Sequence, residues 1–145
     1  MILKSKWMQF LLFVIYISLL VYLVLFSAEL GRIVVKRDYN LVPFQTISRY
    51  ITYRNRFGEV NYITNIYGNI IAFVPLGIFI YLFQKKHRIL SGFIIPFMIS
   101  CIIEISQFIL SVGSFDIDDI ILNTLGGSVA YAILYILHKM GVIKK

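Results

Sequence analysis

Charge is scarce in this sequence. Asp, Glu, Lys and Arg make up 14% of its 145 residues, where soluble domains carry roughly a quarter. Hydrophobic residues make up 59%, and the mean hydropathy is +0.84. Small soluble domains bury the smallest fraction of their surface. A soluble chain of this size could not hide so much apolar area, so a soluble domain is excluded, and disorder with it. Cysteine is nearly absent: Cys101 stands alone, which excludes an intramolecular disulfide and a thiolate metal cage. The two histidines, His87 and His138, lie beside lysines at the ends of apolar runs. They read as interface residues, not ligands, and neither a metal nor a cofactor is expected. Acids are half as common as bases, giving a net charge of +7. In a membrane chain the basic residues read first as topology signals, and no nucleic-acid partner is expected.

What is present is apolar sequence in runs of spanning length. A transmembrane helix needs about 20 such residues. Trp7 to Ala28 has no charged side chain and no A-x-A pattern, and is longer than the roughly 7–15 residues of a signal-peptide core. It reads as an uncleaved helix. Further spans are expected at about 61–83, 89–112 and 120–138. The expected fold is therefore all-α: one polytopic membrane domain over 1–145 with four transmembrane helices.

Residues 29–60 form a long first connection with six Lys/Arg and three acids. Connections of that length are usually functional or disordered. Asn40 is placed to cap a short helix with Pro43 in its first turn. Phe44, Ile47 and Ile51 then share a face, as in a helix lying at the membrane interface. The 84–88 connection is basic and the 113–119 connection acidic. That contrast predicts cytoplasmic termini, with 29–60 and 113–119 outside.

Polar side chains inside a bilayer are costly and normally face other helices or a wet cavity. Ser100, Glu104, Gln107 and Ser111 are spaced as one helix face, as are Asp116, Asp119, Asn123 and Gly127. Asn65 and Asn69 lie one turn apart. Gly126, Gly127 and Ala130 would let another helix approach closely. At 1.5 Å per residue, Gln107 and Glu104 lie roughly 7 and 12 Å from the outer end of their helix. Asn123 lies roughly 6 Å below Asp119, and Asn69 roughly 12 Å below Asn61. Three helices thus place polar groups at one level, which predicts an outer-facing polar pocket roofed by 29–60. Asp116 and Asp119 are expected to face it, and Asp118 to point away. Glu104, the one Asp, Glu, Lys or Arg within a span, is expected to be either neutral or charged beside a cation.

With these residues in view, positions 38–135 resemble the VanZ-like family of bacterial membrane proteins. Asn40-Leu-Val-Pro43-Phe44 looks like its N-x-x-P-F motif, and Asn69 to Gly77 like its N-x-x-x-F-x-P-x-G helix. Ser100 to Gln107 is similar to its S-x-x-x-E-x-x-Q helix. Phe115 to Gly127 resembles its closing F-D-I-D-D-x-x-x-N-x-x-G-G signature. Family members often carry an arginine just before that signature; here the position is Ser114, with Arg49, Arg54 and Arg56 as substitutes. The resemblance implies a bacterial cytoplasmic-membrane protein and a link to resistance against the glycopeptide teicoplanin.

Three functions fit these residues. The first is a non-enzymatic protein engaging a membrane lipid or lipid-linked cell-wall precursor through Asn40, Phe44, Asn69, Glu104, Gln107, Asp116, Asp118, Asp119 and Asn123. Arg49 and Arg54 would supply bidentate phosphate contacts. The second is an enzyme acting on a lipid phosphate or headgroup, with Glu104, Asp116 and Asp119 as catalytic residues and oxygen ligands for a hard cation. No nucleophile paired with histidine and no phosphate-cradling glycine loop supports it. The third is a structural partner of another membrane protein, or of a second copy.

Overall fold

Each apolar run forms a helix. In chain order the elements of the computed structural model are α1 (Lys6–Phe26), β1 (Tyr39–Asn40), α2 (Gln45–Thr52), α3 (Glu59–Phe83), α4 (Ser91–Leu110), β2 (Phe115–Asp116) and α5 (Ile117–Lys139). The structure describes residues 5–26, 38–53, 59–84, 86 and 88–143. Among these, α1, α3, α4 and α5 are long and apolar enough to cross a membrane. The protein is thus an all-α polytopic membrane protein.

The centre of the bundle is the packing of α3 against α5. Small residues decide how close these helices come. A Cβ built on Gly126 would collide with the Ile70 carbonyl oxygen, and one on Gly77 with the Gly127 carbonyl oxygen. The backbones therefore touch, as small-residue stripes permit in membranes. Asn69 pairs with Asp119, while Gly77 meets Gly127 and Ala130 further along. The two helices thus run parallel. On the other side of α5, a Cβ on Gly127 would strike the Pro96 ring of α4. Prolines such as Pro75 and Pro96 are tolerated inside membrane helices because neighbouring groups re-satisfy the freed backbone.

Phe73, Leu76, Ile80, Tyr81 and Tyr131 form the apolar core, joined by Leu20 of α1. At the end carrying the 84–90 connection, the fully buried Tyr131 hydroxyl lies 2.9 Å from Gln84 Oε1 and 3.0 Å from the Arg88 carbonyl oxygen. Helix α1 is peripheral. The Phe13 ring packs edge-on against Phe79 and Phe83, and the Tyr16 hydroxyl donates to the Ala72 carbonyl at 2.9 Å. Most of the remaining α1 side chains face outward.

The opposite end carries β1, α2 and β2. Two strands of two residues each pair in parallel, Tyr39 with Phe115 and Asn40 with Asp116. No strand was expected here; two-residue strands leave no alternation to read. The short helix α2 exists, but its start differs from the expected one. Asn40 does not cap it. Its Oδ1 accepts from the Val42 N–H at 3.0 Å, closing a local turn, and Pro43 lies in the turn ahead of the helix. The N-cap position belongs to Phe44, at φ +64°, with no cap from its own side chain.

Candidate functional site

The cap of α2 arrives from the far end of the sequence. Asp118, fully buried in the first turn of α5, accepts from the N–H groups of Phe44, Thr46 and Ile47, the last two at 2.7 and 3.1 Å. These are the donors a helix leaves unpaired at its start, and a carboxylate there also meets the positive end of the helix dipole. The left-handed backbone of Phe44, sparsely populated for a residue with a Cβ, turns its N–H into this set. Asp118 therefore points away from the polar face of α5 as expected, with a task that helical spacing did not disclose.

Asp116 is the second anchor. Its carboxylate accepts from the Thr46 hydroxyl at 2.6 Å, from Asn40 Nδ2 at 3.0 Å and from the Asp118 N–H at 2.9 Å, which caps α5. Asn40 Nδ2 also donates to Thr46 Oγ1 at 3.0 Å. The Asp116 N–H donates to Glu104 Oε2 at 3.0 Å. A tight turn after α4 makes this possible: Ser111, at φ +56°, takes the left-handed C-cap and sends the chain back. Thr46 was missed in the sequence, where nothing local marks it as a partner of Asp116.

Behind these anchors, between α1, α3, α4 and α5, lies a cavity of about 230 Å³. Asn69, Glu104, Gln107, Asp119 and Asn123 line it. Asn69 Nδ2 donates to Asp119 Oδ1 at 2.6 Å, and Asn123 Nδ2 to Ser100 Oγ at 2.9 Å. Glu104 is 2% exposed. Leu20 and Leu23 of α1, with Phe73 and Ile103, complete the wall. The polar groups read at one depth on three helices thus surround one space.

Other expected site residues lie elsewhere. Asn40, Asp116 and Arg49 border a separate, polar recess of about 280 Å³, together with Thr46 and Ser114. The Phe44 side chain is exposed. Asp116 thus does not line the four-helix cavity, contrary to expectation. Among the described residues nothing from 38–53 lines it either, so α2 does not roof it. Arg54 and Arg56 lie outside the described residues, as does His87. Asp116 and Asp118 both meet Thr46 at the start of α2, Asp116 also reaching Asn40 of β1, while Asp119 turns to α3. Among the described residues no three His, Cys, Asp or Glu side chains gather to hold a metal ion. Glu104 and Asp119 line the four-helix cavity, while Asp116 borders the separate recess.

The family model described as VanZ/LLP1 matches residues 13–138. Protein VanZ of Enterococcus faecium is 32% identical over 120 residues, a stretch covering 80% of this chain and 66% of that protein. No solved structure matches the fold.

Proposed function

The chain belongs to the VanZ/LLP1 family, and from that premise we propose that it engages a membrane lipid or lipid-linked cell-envelope ligand in the four-helix cavity. Through that ligand it is linked to glycopeptide resistance of the teicoplanin type. The supporting observation is the cavity itself. Polar side chains that serve only as hydrogen-bonding glue between helices need no space around them, because protein interiors are close-packed. Here five polar side chains from three helices border about 230 Å³ of open volume. The protein sits in the bacterial cytoplasmic membrane with cytoplasmic termini, and the cavity lies toward the outer face.

The test is to identify the lipids that co-purify with the protein and with its Glu104→Ala and Asp119→Ala variants. Retention of a defined lipid class by the native protein, lost in both variants at equal monodispersity, is expected. Equal retention by all three proteins would sink the reading. In a teicoplanin-sensitive host, the native chain is expected to raise the tolerated drug concentration and the two variants to leave it unchanged.

A further inference from the structure

Asp38 and Ser114 stand one residue ahead of the paired Tyr39 and Phe115, so the parallel ladder sets them beside each other. The Phe115 N–H donates to the Asp38 carbonyl oxygen at 3.2 Å, which carries the pairing to this level. On α2, Gln45 and Arg49 lie one turn apart and share a face. These four residues, with Tyr39 and the buried Asp116, border the polar recess of about 280 Å³. The Asp116 carboxylate is fixed there by its bonds from Thr46 and Asn40. The recess is separate from the four-helix cavity.

Opposite charges border this recess without touching. Arg49 shares it with the carboxylates of Asp38 and Asp116, yet among the described residues Arg49 forms no ion pair and no side-chain hydrogen bond. The Asp38 carboxylate accepts only from the adjacent Tyr39 N–H, at 2.8 Å. The side chains of Gln45 and Ser114 also make no hydrogen bond among the described residues. A guanidinium only donates and an ionised carboxylate only accepts. A group seated between them must accept from one and donate to the other, and a hydroxyl does both. A phosphate would suit Arg49 and be repelled by two carboxylates. An ammonium would suit the carboxylates and be repelled by Arg49. The Gln45 amide and the Ser114 hydroxyl each donate and accept, so further hydroxyls on one head find partners there. A ligand hydroxyl also repeats both bonds of a bridging water, so displacing that water forfeits no hydrogen bond.

We propose that this recess binds an uncharged head rich in hydroxyl groups, a sugar ring, bridged between Arg49 and Asp38. The exposed Tyr39 ring offers an apolar surface to the C–H side of such a ring. Leu41, Val42 and Phe44, which follow Asn40, are exposed as well. Exposed apolar side chains beside a polar recess, at the end of a membrane bundle, suit the headgroup level of the bilayer. A glycolipid head therefore reaches the recess from the membrane. The site stands whether or not a lipid occupies the four-helix cavity.

Saturation-transfer NMR with methyl β-glucopyranoside, on the full chain in phosphatidylglycerol nanodiscs, tests it. Empty nanodiscs set the background. The native protein is expected to saturate the sugar protons above that background. Arg49→Ala and Asp38→Asn, both at exposed positions, are each expected to lower the signal several-fold, with circular dichroism checking the fold. Ser114→Arg, added to Arg49→Ala, is expected to restore it, because residue 114 borders the same recess. Glycine and inorganic phosphate at the sugar's concentration are expected to displace nothing. A native signal at background, or equal signals from the native protein and both single variants, overturns the proposal. Displacement by glycine reassigns the recess to a zwitterion, and displacement by phosphate to an anion; either overturns the sugar. Absence of rescue by Ser114→Arg overturns the recess as the place where Arg49 acts. Doping the discs with glucosyldiacylglycerol is expected to quench the signal of the soluble sugar, and an undiminished signal overturns the membrane source in favour of a soluble glycan. None of these outcomes bears on lipid retention by Glu104→Ala or Asp119→Ala, so the cavity and the recess stand or fall separately.

Discussion

Asp118 accepts a hydrogen bond from the backbone N–H of Thr46, 72 residues earlier in the chain. Together with the bonds from Phe44 and Ile47, it ties the start of α2 to the start of α5. A buried carboxylate with three backbone donors is a structural anchor. Removing a helix cap costs about 0.5–2 kcal/mol, and each buried donor left unpaired costs about 1–3 kcal/mol. Asp118→Ala is therefore expected to lower the thermal stability of the purified protein clearly, and Asp118→Asn to lower it less. Unfolding followed by circular dichroism checks this. A variant with native stability would show that water replaces the carboxylate at no cost.

Glu104 and Asp119 are expected to behave differently from Asp118. Glu104→Gln keeps an acceptor for the Asp116 N–H and nearly the same volume. Folded yield and unfolding temperature are expected to stay near native. A hydrogen bond to a charged group is worth about 1.5–3 kcal/mol, so ligand retention is expected to fall roughly ten- to a hundredfold. Titration of the retained lipid class into lipid-stripped protein measures it. A Gln variant that binds as the native protein does removes the charge from the argument.

The α3–α5 interface yields a prediction independent of the ligand. Gly126→Ala places a methyl group against the Ile70 carbonyl, and backbone atoms cannot yield as a flexible side chain would. Overpacking of this kind costs about 1–3 kcal/mol. Gly68→Ala is the control, since among the described residues no heavy atom beyond its own helix backbone and chain neighbours lies within 4 Å of its added Cβ. Alanine is the better helix former, so this variant is expected to match or exceed native stability. Similar unfolding temperatures for the two variants would contradict the close approach of the helices.

Much of this fold was legible because a bilayer leaves few choices. The four apolar runs became helices within a few residues of their expected ends. Helical spacing also put Glu104 and Gln107 on one face of α4, and both line the four-helix cavity. The roles of Asn40 and Asp118 were not legible. Spacing reports which side of its own helix a residue occupies, not which distant segment meets it. Asn40 met the local criteria for a cap, but Asp118 took the task through contacts spanning more than 70 residues. The small residues of α5 announced a close neighbour without saying that α3 would be one and Pro96 of α4 the other.

The remaining prediction concerns which face of the membrane the cavity approaches. The cavity lies at the end of the bundle that carries Ser114, while Lys86 marks the opposite end. Basic residues cluster in the 84–88 connection and acidic ones in 113–119, and short basic loops are retained in the cytoplasm. Cys101 is the one native thiol, so a Cys101→Ser background leaves a single reporter in each test protein. Lys86 is exposed and Ser114 half-buried, so labelling in permeabilised cells sets the ceiling for each. On intact cells, an impermeant thiol reagent is expected to label Ser114→Cys and to spare Lys86→Cys until the membrane is opened. The reverse pattern would place the 84–88 connection outside and the cavity toward the cytoplasm. A cell-wall precursor displayed on the outer face could then not be its ligand, and an inner-leaflet lipid would take its place.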